Sequence, residues 1–462
     1  MIVRAQRRYG LPALALLVMA AIGFGLQGLG LPLDRDEGSF ATIARGLLAG
    51  ALPYRDAFDH KGPGIYYVLA AVFGLTHGLS PLAQVVAARV LMLVVNVLSA
   101  AVIYALGRRW CDARVGLVAA LLWLAFAPVF DGSRVFTEGF AVLPTLLAVW
   151  LSLARRSWAA RSLGAGALLG AASAFKQTSV LAFPALWLLG ANPFALAAGF
   201  ALPWLAIWGA FAAAHAGAPF LDQVVVANLH YPPQPRGEWW PHMTKPLLTC
   251  VLLFAFDVYG LRLAFASAGN ATFQRATRGL LALQVLTLLP FATHAYAHYW
   301  VQVLPWVVLP AALGAVRFFE VTTPERLRTA ATLALAATFA AAFWRPLSDR
   351  PWTLHDQVSA AAQIVAAARA GDRITIGPAE PEYYFLSGLP APTPYLYLLD
   401  VDRARFWPEF NRDLASGRFS LVAWFGVCPS AEDRAACASL ANGFAPVASD
   451  PRTGLRIYRR RD

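Results

Sequence analysis

Apolar residues in this chain come in blocks long enough to cross a bilayer. A window of about 20 residues, the length of helix that spans the hydrocarbon core, predicts spans near 11–31, 83–106, 115–130, 139–154, 163–175, 178–190, 193–214, 246–263, 279–293, 299–316 and 329–345. Several of these eleven are short enough to be tilted or re-entrant. Directly behind the first block lies a polar interruption from Asp34 to Gly64, DRDEGSFATIARGLLAGALPYRDAFDHKGPG. Within it Phe40, Ile43 and Leu47 recur at i, i+3 and i+7, the repeat of a short amphipathic helix that can lie in a membrane interface. From about 346 the pattern changes again: the spacing predicts a helix over 355–368, strands over 373–377, 419–425 and 455–458, and a helix between the last two strands. The chain therefore reads as an all-α polytopic membrane domain, 1–345, whose outer loop is 32–82, followed by a small α/β domain, 346–462.

Composition agrees, with 58% hydrophobic and only 14% charged residues. The formal charge of +12 does not indicate nucleic acid, because the arginines sit in short loops between spans, where they orient a membrane protein. With a cytoplasmic N-terminus, the inner loops carry Arg4, Arg7 and Arg8; Arg108, Arg109 and Arg114; Arg155, Arg156 and Arg161; Arg262, Arg275 and Arg278; and Arg317, Arg326 and Arg328. The opposite side collects Asp34, Asp36 and Glu37; Asp131, Arg134 and Glu138; His230 and Glu238; and His294 and His298. All three lysines, Lys61, Lys176 and Lys245, fall on that outer side against the usual bias, which points to a functional exception. An odd number of spans puts the tail outside as well. The opening MIVRAQRRYG and the run behind it lack a small-residue cleavage site, and read as an uncleaved first span. In the tail, Cys428 and Cys437 read either as a disulfide, which an oxidising compartment permits, or as two buried thiols. Cys111 and Cys250 have no ligand residues beside them, so no zinc motif is present.

The Asp36-Glu37 pair heads the short helix, where the dipole favours negative charge, so a capping role is the plain reading. Downstream, Tyr54, Arg55, Asp56, Asp59, His60 and Lys61 gather carboxylates and cations on turn residues, and Tyr66-Tyr67 enters an apolar stretch. The string DEGSFATIARGLLAGALPYRDAFDHKGPGIYYV resembles the first outer loop of bacterial membrane glycosyltransferases of the GT-C superfamily, in the branch of the protein O-mannosyltransferases and the lipid A aminoarabinose transferase. The pattern there is an Asp-Glu pair, an interfacial helix, then Pro-Tyr and a Lys-Pro-Pro turn; here Gly62 replaces the first proline, which loosens the turn without removing Lys61. Ser133-Arg134 with Glu138, FKQTSV at 175–180 and HYWVQVLP at 298–305 are similar too, with less specific motifs.

The resemblance implies a GT-C-like fold, N-terminus in and C-terminus out, in the cytoplasmic (inner) membrane. It implies an inverting glycosyltransferase that moves a sugar from a polyprenyl-phosphate donor to a hydroxyl of an acceptor glycan, lipid or protein, with its site facing the periplasm or exterior. The phosphate leaves without needing a proton, so one carboxylate base suffices. By resemblance Asp36 is that base, Glu37 supports the loop or the acceptor, and Asp34 is the fallback. Lys61, Lys176 and Arg134 are the cations for the leaving phosphate, and Glu138 orients the acceptor or holds Arg134. Tyr54, His60, His298 and Tyr299 complete the expected substrate-binding set. A divalent cation stays open as a cofactor, since the acids could bind one loosely.

Each residue also has a plainer reading. Lys176 can snorkel to the interface, and Arg134 with Glu138, four apart, can form a helix-end ion pair. His294 and His298 share a face suited to a metal or to interfacial hydrogen bonds. Asp257 is expected to pair with Arg262 near the inner end of its span. HYPPQPRGEWW at 230–240 reads as a lid or as an aromatic anchor. A transporter or flippase of lipid-linked sugars is the rival class, but it calls for polar residues at the midplane and symmetry between halves. A noncatalytic scaffold leaves the charged first loop unexplained.

Overall fold

The computed structural model describes residues 23–461 apart from 24, 27, 154–157, 268–270, 322–324, 327, 328, 330–332, 334–351, 397, 399–402 and 427–432. The chain divides into two compact units that interleave along the sequence. One comprises Met1–Leu29, Arg89–Ala210 and Pro233–Leu347; the other comprises Gly30–Ala88, Phe211–Pro232 and Ser348–Asp462.

The first unit is helical, with a core of apolar side chains from many helices, including the fully buried Trp123 and Trp306. Among the described residues four helices are long and apolar enough to cross a membrane: Pro81–Trp110, Ala113–Phe130, Pro193–Ala213 and Ala297–Val321. A fifth candidate is the pair Arg236–Thr249 and Val251–Ala266, bent by 71° where Cys250 leaves helical geometry (φ −107°, ψ 23°). The eleven expected spans are thus not all of spanning length. Those expected at 139–154, 163–175 and 178–190 are the 16-residue helices Thr137–Ser152 and Trp158–Ser173 and the broken run Gln177–Ala182 plus Phe183–Leu188. That at 279–293 is the end of Ala271–Leu288 and a 3₁₀ turn. The spans expected at 11–31 and 329–345 lie largely outside the described residues.

Helix packing in this unit relies on small residues, as it does where no hydrophobic effect separates helix from lipid. Gly260 and Gly314 lie against the backbones of Pro310 and Phe256, where a β-carbon would collide, so the Val251–Ala266 and Trp300–Val321 helices meet closely. A buried polar bridge ties the same region. Gln284 Nε2 donates to Asp257 Oδ1 at 2.7 Å and to the Trp306 carbonyl at 3.1 Å. Asp257 is therefore held by Gln284 from the neighbouring helix, and not by Arg262, which points outward and is exposed.

The second unit joins the helices Arg35–Leu48 and Gly64–Leu75, the segment 211–232 and the tail. Asp34 caps the first helix in a capping box: its carboxylate accepts from the Asp36 amide at 3.0 Å and from the Glu37 amide, and the Glu37 carboxylate accepts from the Asp34 amide at 3.1 Å. Phe40 and Ile43 do not face a membrane interface but are buried, at 1% and 4% exposure, with the Phe40 ring edge-on to Tyr66.

In the tail, β1 (Ile374–Gly377), β2 (Leu421–Phe425), β3 (Phe444–Asp450) and β4 (Leu455–Arg460) form a sheet of order β1-β2-β4-β3. β1 and β2 run parallel, with Ile374 opposite Leu421, and the other pairs are antiparallel. The helices Leu354–Ala367 and Arg434–Gly443 and strands β1, β2 and β4 stand where periodicity placed them. β3 has no such signal, since it carries Pro446, is mostly exposed and pairs with β4 through a bulge. Phe410, Leu414, Val422 and Trp424 fill the tail core. Cys437 is disulfide-bonded and Cys111 and Cys250 are thiols outside any disulfide, while Cys428 lies outside the described residues.

Candidate active site

The expected site residues fall into two clusters, one in each unit. In the second unit Asp36 occupies the first turn of its helix, behind Asp34 and beside Glu37. The three acids are not equivalent. Asp34 and Glu37 satisfy the helix's first amides, and Glu37 is 2% exposed. Asp36 keeps 22% of its side chain exposed and lies 3.6 Å from Lys61 Nζ. A cation at that distance stabilises the ionised carboxylate, and the helix N-terminus acts in the same sense.

The turn that presents Lys61 is closed from several sides. Tyr54 adopts φ 69°, a left-handed conformation uncommon outside glycine, and its hydroxyl donates to the Lys61 carbonyl at 2.8 Å. Burial, then Asp59 and Tyr67, hold that phenol well above its ordinary value, so it stays a donor. Asp59 is 1% exposed; its carboxylate accepts from the Lys61 amide at 3.1 Å and the Ser39 hydroxyl at 3.3 Å. Burial raises its proton affinity, opposed by Lys61, by the backbone amides of Lys61 and His60, and by the Tyr66 hydroxyl. The segment 211–232 straps this turn through a π-helical stretch, Asp222–Val226. There Gln223 donates to the Tyr54 carbonyl at 2.6 Å and accepts from the Asp59 amide at 3.1 Å. Asn228 donates to the His60 carbonyl at 2.6 Å, and Tyr231 lies against the His60 imidazole with ring centres 5.0 Å apart.

In the first unit Glu138 opens the helix Thr137–Ser152, and Lys176 directly precedes the 3₁₀ turn Gln177–Ala182. Their charged atoms are 2.6 Å apart, with side chains 2% and 6% exposed. Lys176 Nζ also sits 4.2 Å from the centre of the Tyr299 ring, a cation–π contact. His298 Nε2 is 3.8 Å from the same Glu138 oxygen. Gln302, one turn beyond His298, fixes the lysine's turn by accepting from Thr178 at 2.8 Å and donating to Ser179 at 2.9 Å. Lys176 is thus buried in a polar cluster and does not snorkel. Arg134 forms its ion pair with Asp131, at 3.3 Å. His294 and His298 flank Tyr296, which stacks on both. No group of three or more metal-ligating side chains occurs among the described residues.

Residues 60–221 match the family model described as dolichyl-phosphate-mannose-protein mannosyltransferase, a segment that contains Lys61, Arg134, Glu138 and Lys176. The fold is similar to that of ArnT from Cupriavidus metallidurans, solved bound to undecaprenyl phosphate, with a TM-score of 0.61 and 13% identity over 96% of this chain and 97% of that one. It is also similar to the archaeal oligosaccharyltransferase AglB from Archaeoglobus fulgidus, in complex with an inhibitory peptide and a dolichol-phosphate (TM-score 0.58, 11% identity, 99% of this chain and 74% of that one). These likenesses show that the chain shares their fold. A third structure, the arabinofuranosyltransferase AftD from Mycobacteria, aligns over 98% of this chain and 41% of its own, with a TM-score of 0.53 and 14% identity. No curated protein matches.

Three groups that organise these clusters had no role assigned from the sequence: Asp59, named with its turn but not among the site residues, and Gln223 and Gln302. Asp59 stood in plain view, two residues before Lys61. The two glutamines carry no local signal, since their partners are backbone groups and hydroxyls 123–169 positions away.

Proposed function

We propose that this protein is an inverting glycosyltransferase of the GT-C superfamily that moves a sugar from a polyprenyl-phosphate donor to an acceptor hydroxyl at the outer face of the cytoplasmic membrane. Asp36 is the base. It takes the proton of the acceptor hydroxyl as that oxygen attacks the anomeric carbon from the side opposite the phosphate. The bond from the anomeric carbon to the phosphate oxygen breaks, and the phosphate departs with the electron pair, stabilised by lysine or arginine. Lys61 is the cation in Asp36's own cluster. The acceptor is a glycan, lipid or protein hydroxyl.

The observation that carries the reading is the division of labour among the three acids. Two close the helix cap, and the third is left partly exposed 3.6 Å from a lysine. The lipid phosphates bound by ArnT and AglB support the choice of donor class. The test uses purified protein in nanodiscs with undecaprenyl-phosphate donors carrying radiolabelled hexoses or aminopentoses, and a membrane extract as acceptor. Asp36→Asn is expected to lower transfer by about 10²-fold or more, within the usual range for a general base. Parental transfer by that variant would remove Asp36 as the base, and donor flipping without transfer would replace the reading with the transporter.

A further inference from the structure

The helix that carries Asp36 is held by the tail of the same unit. Gln357, 0% exposed on the helix Leu354–Ala367, contacts both backbone groups of Leu33, the residue before the cap. It accepts from the Leu33 amide at 2.7 Å and donates to the Leu33 carbonyl at 3.1 Å, across 324 positions of sequence. Gln357 Nε2 also donates to Glu382 Oε1 at 3.3 Å. Glu382 opens the short helix Glu382–Ser387, whose backbone lies so close to Gly38 that a β-carbon there would run into the Cα and N of Glu382. One turn further along, the Thr42 hydroxyl donates to the Pro381 carbonyl at 3.2 Å, and the Arg45 guanidinium sits 4.1 Å from the centre of the Phe385 ring. Arg35, beside Asp36, is 3.7 Å from Glu380. These contacts fall before the helix, at its first turn and along its length.

We propose that the C-terminal domain is a positioning element for the Asp36–Lys61 cluster, acting through Gln357, Pro381 and Glu382. A carboxylate base must be held within a fraction of an ångström of its working position, and a helix N-terminus joined to loops on both sides frays unless something anchors it. Gln357 supplies that anchor, because without it the Leu33 amide and carbonyl are buried and unsatisfied. Gly38 fits the role, since only glycine admits the tail backbone at that distance. The residues named act through the helix that carries Asp36. The inference rests on Asp36 being the base, but the contacts can be tested separately from it.

The experiment compares Gln357→Ala, Thr42→Val and Thr42→Ser with the parent, as full chains in nanodiscs. Three quantities are read: hydrogen exchange of the amides of 33–40, transfer from the same labelled donor panel, and binding of undecaprenyl phosphate alone. Gln357→Ala and Thr42→Val are expected to speed exchange at 33–40 and to slow transfer by about tenfold, with undecaprenyl phosphate affinity changed less than about threefold. Thr42→Ser, which keeps the hydroxyl, is expected to restore both rates. Parental exchange and transfer in both variants overturn the proposal, as does loss of transfer matched by loss of lipid-phosphate binding. If Gln357→Ala does not fold, the milder Thr42 pair decides the outcome alone. If Asp36→Asn transfers at the parental rate while 33–40 still loosens in these variants, the base assignment fails and the clamp stands.

Discussion

Replacing Lys176 by methionine should cost far more than a surface lysine would, and the excess can be worked from its surroundings. The Lys176–Glu138 pair is 2.6 Å long and its side chains are 6% and 2% exposed, so water cannot take over the role of either partner. Removing one member of such a pair strands the other, at about 3–5 kcal/mol, and the contact with the Tyr299 ring is lost too. At about 2 °C per kcal/mol, the low end of the scale suited to a long chain, Lys176→Met is expected to melt about 6–10 °C below the parent. The double variant Lys176→Met/Glu138→Gln removes both charges and should recover at least about half of that loss, because no buried charge is left uncompensated. Thermal unfolding in detergent, followed by tryptophan fluorescence, reads both. The measurement is made in a His298→Asn background, so that His298, 3.8 Å from Glu138, cannot substitute as a cation. A melting point within about 2 °C of the parent for Lys176→Met would refute the reasoning, as would a double variant no more stable than the single one.

Two further outcomes follow from the cluster around Asp36 and Lys61. Asp34→Ser should keep transfer within a few-fold of the parent, since serine caps as well as aspartate, whereas Asp34→Ala should lose about 1 kcal/mol of stability; abolished transfer in Asp34→Ser with normal melting would make Asp34 a reacting group. Asp59 has its proton affinity raised by burial above the unfolded value of 3.8, so the folded state holds the proton longer and stability falls as pH rises from about 4 through the folded-state value. Asp59→Asn lacks that titration, and its stability relative to the parent should improve between pH 4 and pH 7; denaturation midpoints across that range with the opposite slope would refute the assignment.

What could be read in the sequence was whatever depends on neighbours along the chain. The cap at Asp34, the helix behind it, the long apolar helices and three of the four tail strands all follow from periodicity or local residue chemistry. Phe40 and Ile43 also sit on one face as their spacing requires, but spacing names a face and not what covers it. The partner of Asp257 was misplaced, and Lys176 was not foreseen beside Glu138, for a related reason. Arg262 is near Asp257 in sequence, whereas Gln284 and Lys176 are 27 and 38 positions from Asp257 and Glu138 and are brought close only by helix packing. The count of spans exceeded the helices of spanning length because broken and short apolar helices, such as Gln177–Ala182 with Phe183–Leu188, have the hydropathy of a span without its length.

The interleaving of the second unit has a consequence for biogenesis. Asp36 emerges early from the ribosome, but Gln357 and Glu382 are made more than 300 residues later, after the long apolar helices have been inserted. Until then the segment that carries Asp36 lacks the groups that close on Leu33 and Gly38. A nascent chain, or one truncated before Leu354, would carry every charged residue of both clusters and still lack the contacts that hold the Asp36 helix, so that helix would be fixed only with the final quarter of the polypeptide.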